Sequence, residues 1–194
     1  MPAYTAIAEA GMAIVELLRS QMTPEPISKP ELIGLCLPYE PEDYQLTVYL
    51  YHIEQSAESQ AGYVREGKTL QRLAPLTLNL NFLITAHSKA PVQNRAQDEY
   101  RIIGRAMQVI RDTPLITGDL LGASLAESGA LLRVSISKLS LEQLQKIWNH
   151  TQKPYKLSFA VQCTVEIESH RTRVVGRVGD ITITLDERTG RGGA

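Results

Sequence analysis

Apolar and polar residues alternate most cleanly between Tyr155 and Ile167. Tyr155, Leu157, Phe159, Val161, Cys163, Val165 and Ile167 fall on one side, and Lys156, Ser158, Ala160, Gln162, Thr164 and Glu166 on the other. A period of two over that length predicts a long strand with one buried and one wet face, the spine of a sheet. Pro154 separates it from a stretch of helical period. Ser140 precedes Leu141-Glu142-Gln143, so its hydroxyl can accept a first-turn N–H while Gln143 reaches back, which is a capping box. Leu141, Leu144, Ile147 and Trp148 then form an apolar stripe that carries a short helix through about Asn149.

Thr5–Gln21 has helical period too, with Ile7, Gly11, Ile14, Val15, Leu18 and Met22 on one face. Pro24, Pro26 and Pro30 predict an extended linker. Leu32–Leu37 reads as a short strand, Tyr39–Asp43 as an acidic, proline-rich turn. Leu46–Ile53 is apolar on both faces and predicts a central strand covered on both sides. Leu76–Ala86 is a further strand, with Leu76, Leu78, Leu80, Phe82 and Ile84 opposite Asn79 and Asn81. The strongest helix pattern is Ala96–Asp112. Tyr100, Ile103, Met107 and Ile110 make an apolar row, with Ile102, Ala106 and Val109 beside it, and Arg101, Arg105, Gln108 and Asp112 make the wet stripe. Gly104 within it would let another backbone approach closely. Arg101 and Arg105 can pair with Asp98 or Glu99 on the helix surface.

Thr117–Leu121 reads as one short helical turn, Gly122–Gly129 as a loop and Leu132–Ser137 as a strand. Ser169–Arg173 is a polar break, after which Val174–Val178 and Ile181–Leu185 can supply a hairpin. Glu54–Pro75 has weak periodicity and scattered charge, and predicts a long loop of the kind a compact domain keeps for a purpose. Together these elements predict an α+β fold: one domain over residues 1–187, a mixed and mostly antiparallel sheet with helices packed on one face. A flexible Gly/Arg-rich tail follows at residues 188–194.

Composition narrows the function. At 194 residues, 43% apolar and net charge −1, the chain has the size for one core and no bulk attraction to nucleic acid or anionic membrane. No apolar run approaches the ~20 residues that span a bilayer, and Glu9 and Glu16 interrupt the first apolar stretch, unlike a signal peptide. Cys36 and Cys163 read as buried free thiols. His52, His87, His150 and His170 lie far apart with no partner at metal-ligand spacing. No nucleophile motif or carboxylate pair is present, so neither a catalytic residue nor a cofactor is expected.

One catalytic motif does match by its letters. Gly62-Tyr63-Val64-Arg65-Glu66-Gly67-Lys68-Thr69 satisfies G-x-x-x-x-G-K-[ST], in which backbone N–H groups would cradle phosphates, Lys68 would reach them and Thr69 would hold magnesium. The motif counts only between a buried strand and a helix. Gln55–Ala61 is too polar to be that strand, and Leu70–Ala74 allows barely one turn before Pro75. A P-loop nucleotide-binding protein is therefore kept as the alternative, and a charged loop is preferred.

Four stretches in order carry a resemblance. Ile102–Leu121, Ile-Ile-Gly-Arg-Ala-Met-Gln-Val-Ile-Arg-Asp-Thr-Pro-Leu-Ile-Thr-Gly-Asp-Leu-Leu, resembles the cap, or tail-terminator, family of phage-tail-like contractile injection systems. Leu50-Tyr51-His52-Ile53 resembles the family's LYxV strand. Leu73-Ala74-Pro75-Leu76-Thr77-Leu78-Asn79-Leu80, continuing to His87, resembles its PPLxLxLxYLLTAY segment. Leu139–Leu144, Ile147-Trp148 and Pro154–Ser158 resemble its LSLEELSKLW…YRLSVAY segment. The likeness covers roughly Ile7 to Glu168. It implies a fold similar to phage tail terminators and a homo-oligomeric ring, usually a hexamer. Such a ring sits on the end of the inner tube and sheath and stops their growth. It would assemble in the cytoplasm and become part of a phage-tail-like particle. Partners would be the inner-tube and sheath proteins, with no nucleic acid and no membrane span. Many relatives carry a further C-terminal portion. Arg65, Lys68 and Arg72 of the long loop, with Arg101 and Arg105, are the candidate contacts to a neighbouring subunit, tube or sheath.

Overall fold

The computed structural model describes residues 4–66, 69–149 and 153–174. In chain order the elements are α1 (Ala6–Met22), β1 (Ile33–Leu35), β2 (Leu46–Gln55), β3 (Tyr63–Glu66), β4 (Leu70–Leu73), β5 (Leu76–Ala86), α2 (Val92–Asp112), β6 (Leu115–Ile116), α3 (Ala123–Glu127), β7 (Leu132–Ser137), α4 (Leu141–Asn149), β8 (Ser158–Ile167) and β9 (Thr172–Val174). Single 3-10 turns lie at Pro30–Leu32 and Gly118–Leu120. The strands form a six-stranded sheet, β1-β2-β5-β8-β7-β6, and a three-stranded side sheet, β3-β4-β9. β1 runs parallel to β2, and every other pair is antiparallel.

The alternating pattern explains the layering. β5 and β8 pair from Leu76↔Ile167 to Thr85↔Ser158. Leu78, Leu80, Phe82 and Ile84 of β5 therefore share one face with Phe159, Val161, Cys163 and Val165 of β8. That face joins α1 through Ile14 and Leu18, α2 through Ile102 and Ala106, and α3 through Leu125 in one core. The expected α+β layering, with helices on one side of a mostly antiparallel sheet, is what these three helices build. α4 carries its capping box as read. The Gln143 N–H donates to Ser140 Oγ at 3.2 Å, and the Ser140 N–H donates to Gln143 Oε1 at 2.8 Å.

The structure corrects several expectations. β8 starts at Ser158, not Tyr155, and Tyr155 instead meets Trp148 edge-on with ring centroids 6.0 Å apart. β2 is next to the sheet edge rather than central. Only Leu46, Thr47 and Val48 are buried, and a bulge between Leu50 and His52 turns its second half outward. α2 begins at Val92, and its apolar row is rotated from the predicted one. Ile103 and Ile110 are buried, but Tyr100 is 63% exposed. The Gly122–Gly129 stretch holds α3, because Glu9 of α1 caps it from outside. The Glu9 carboxylate accepts the Leu125 N–H at 3.0 Å and the Ser124 hydroxyl at 2.7 Å. Glu54–Pro75 is not a structureless loop, since it contains β3 and β4. The polar break ends early, with Thr172 and Arg173 already in β9. Cys163 is buried and free, its thiol pushed up to about 12 by burial, whereas Cys36 is only half-buried and donates to the Glu40 carbonyl. The predicted hairpin beyond Val174 and the tail at 188–194 lie outside the described residues.

Candidate interaction surfaces

The side sheet places three of the candidate residues. β3 and β4 pair from Tyr63↔Leu73 to Glu66↔Leu70, and β9 adds to β4 through Leu70↔Val174, Gln71↔Arg173 and Arg72↔Thr172. None of these strands has a buried residue, so polar side chains hold them. Arg72 Nη2 bonds Glu66 Oε1 at 2.5 Å, and its Nη1 bonds Glu168 Oε2 at 3.0 Å. Arg173 lies over the Tyr63 ring, 4.0 Å from its centroid, and donates from Nε to Gln71 Oε1 at 2.9 Å. Arg72 thus clamps the side sheet to the end of β8, while Arg65 on β3 is exposed. Lys68 lies outside the described residues.

This geometry removes the P-loop alternative. Tyr63–Glu66 is itself a strand, Thr69 sits in the turn, and Leu70–Leu73 returns antiparallel. The segment joins strand to strand. A phosphate cradle needs a helix whose N-terminal N–H groups follow the glycine-rich turn, and among the described residues a strand follows instead.

Arg101 and Arg105 sit on a different element, α2. The expected pairs with Asp98 and Glu99 do not form, because both acids turn back to Ser88: Asp98 accepts its hydroxyl and Glu99 its N–H. Arg105 is half-buried and donates to the Gln21 carbonyl from Nη2 at 3.0 Å and to Gln108 Oε1 at 2.9 Å. Arg101 is exposed. A Cβ on Gly104 would meet nothing within 4 Å among the described residues, so none of their backbone uses the close approach predicted there.

Two features escaped the pattern. An apolar groove of about 480 Å³ opens beside β1, lined by Tyr4, Ile7, Gly11, Leu35, Leu37 and Phe82 among others. Its signal was present in the apolar residues of β1 but needed α1 laid across them. Behind it, Tyr44 lies on Gly34, where a Cβ would come within 2.4 Å of the ring. The second feature is a polar row at one end of the sheet, from Thr47 of β2 through His87 just after β5 to Lys156 just before β8, buried at Thr47 and His87. His87 Nε2 is 3.0 Å from Thr47 Oγ1, and its Nδ1 is 3.2 Å from Lys156 Nζ. Lysine only donates, so Nδ1 accepts and Nε2 carries the proton. Burial first, and Lys156 second, lower the His87 pKa to about 4. Among the described residues no group of histidine, cysteine or acidic side chains could hold a metal ion, and no helix is long and apolar enough to cross a membrane.

A family model described as the Pvc16 N-terminal domain matches residues 10–178. The chain belongs to that family. Members of the Pvc16 N-terminal domain family are thus the frame for its fold, and solved structures agree. The chain is similar to the sheath/tube terminator of PVC, an extracellular contractile injection system, in its extended state. That match has TM-score 0.65 at 15% identity and covers 96% of this chain and 65% of that one. It is also similar to the tube-terminating cap of the anti-feeding prophage, with TM-score 0.54 at 16% identity over 89% of this chain and 59% of that one. The chain therefore spans somewhat less than two thirds of each of these two proteins. No curated protein matches it.

Proposed function

We propose that this chain is a structural cap of a contractile injection system, a ring that ends and stabilises the inner tube and sheath. One observation carries the reading: membership of the Pvc16 N-terminal domain family over residues 10–178, in a chain whose fold is like a sheath/tube terminator. The ring is a homo-oligomer, a hexamer as the resemblance to tail terminators implies. It meets the inner-tube and sheath proteins by shape, strand pairing and charge, with no bond made or broken. It assembles in the cytoplasm and leaves as part of a phage-tail-like particle. Arg65, Lys68, Arg101 and Arg105 face neighbours in that assembly. Arg72 acts indirectly by holding the side sheet in place.

Particles made without the chain test this. Electron microscopy should show tubes and sheaths of uncontrolled length or frayed ends, restored by supplying the chain in trans. Particles of normal length and integrity without it would overturn the proposal.

A further inference from the structure

Resting on the ring reading, we infer that neighbouring copies join through the outward face of α2 on one copy and the acidic return segment between β1 and β2, with its adjoining apolar groove, on the next. A closed ring joined head to tail needs two unlike surfaces that fit each other. The chain carries such a pair on different parts of its sheet. α2 packs over β7 and β5, whereas β1 is an outer strand at the opposite edge.

At ~100° per residue, the α2 outward face runs through Tyr100, Arg101, Gly104, Met107, Gln108 and Arg111. Asp112 is the one exposed acid on this face, ~20° round from Arg101 and flanked by Arg101, Arg105 and Arg111. Asp98 and Glu99 are turned back to Ser88. Tyr100 and Met107 are exposed at 63% and 37%. Gly104 is the telling position. A mid-helix glycine weakens a helix relative to alanine, and nothing among the described residues fills the space above it. A bare backbone there suits close approach by another molecule.

The second surface has the opposite character. Residues 31–45 contain Glu31, Glu40, Glu42 and Asp43 and no lysine or arginine. Asp43 is paired with Lys89 at 2.7 Å, while Glu31, Glu40 and Glu42 are exposed. The same segment begins beside the groove, at Leu35 and Leu37. Arginines thus face carboxylates, and an exposed tyrosine and methionine face an apolar groove. At this edge Arg19 already donates to the Ile33 carbonyl at 2.7 and 3.0 Å, which takes one outward backbone acceptor and leaves side chains as the main contact. Charge complementarity of this kind selects partner and register.

Two charge reversals test the contact, with circular dichroism confirming the fold. Light scattering and negative-stain imaging of the purified chain, and imaging of tube ends carrying it, read the result. R101E/R111E and E40K/E42K should each weaken self-association at least about tenfold. An equimolar mixture should regain rings, because each reversed helix then meets a lysine segment and each native helix meets a native acidic one. If both folded variants form rings like the wild type, or the mixture stays apart, this contact is wrong while the cap reading stands. A wild-type chain that forms no ring, alone or on tube ends, overturns the ring reading and this contact with it.

Discussion

The two sheets of this molecule are held by different forces. In the main sheet, β5 has a continuous buried run from Leu80 to Ala86, covered by helices on one face. In the side sheet no strand residue is buried, and the backbone ladder is supported by one arginine clamp and one cation–π contact. Burying a large apolar side chain contributes ~1.5–3 kcal/mol, an exposed ion pair ~0–1 kcal/mol. The first sheet therefore sets the fold, and the second rides on it at little depth of stability, free to open and adjust.

The sharpest way to break that comparison is truncation. Phe82→Ala, at a side chain only 1% exposed in the middle of β5, should cost ~3–5 kcal/mol in denaturant melts. Val64→Ala on β3 should stay within ~0.5 kcal/mol. Equal costs would mean the side sheet shares the core's stability. Next comes pH. The folded pKa of His87, about 4, lies below its ordinary 6.5, so its contribution is present above pH 6.5 and is lost as pH falls from there toward 4. At ~1.4 kcal/mol per unit the loss reaches ~3 kcal/mol at most. His87→Gln should flatten urea-melt stability across that window; an unchanged slope would place the proton uptake elsewhere.

A smaller effect is expected at Glu9. Burial alone would raise its carboxyl, but bonds from Ser124, Leu125 and Thr5 outweigh it and lower the pKa. Glu9→Gln weakens a cap and should cost ~1 kcal/mol, with faster hydrogen exchange confined to α3 and its contacts. The smallest global change belongs to Arg72→Met. Stability should fall by less than ~1 kcal/mol, while amides of β3, β4 and β9 exchange about tenfold faster. A loss of several kcal/mol would show that the two sheets unfold as one unit.

What the chain pattern revealed follows the same divide. The strands Leu76–Ala86 and Leu132–Ser137 and the Ser140/Gln143 cap were legible to the residue, because period and capping chemistry are local. β3 and β4 were not. They are four residues each, charged, and complete only when Arg173 and Glu168 arrive from 96 or more residues away. α3 was hidden for the same reason, since its cap belongs to α1. α2 was legible as a helix but misjudged in rotation, because Tyr100 and Met107 count as apolar yet face outward. The P-loop letters were outweighed in the sequence by their context, the polar Gln55–Ala61 before them and the short Leu70–Ala74 after, although the strands on either side were not foreseen. Among the candidate contact residues, Arg101 is exposed as expected, whereas Arg72 is spent on Glu66 and Glu168 inside the molecule.

The guanidinium of Arg19, laid on the Ile33 carbonyl, has a consequence for crowding. A three-residue rim with one outward acceptor already occupied gives stray polypeptide little to stitch itself onto. Copies of this chain at high concentration should stay discrete, countable objects instead of thickening into fibres. Freeing that carbonyl with Arg19→Ala is the change expected to make the solution turn cloudy.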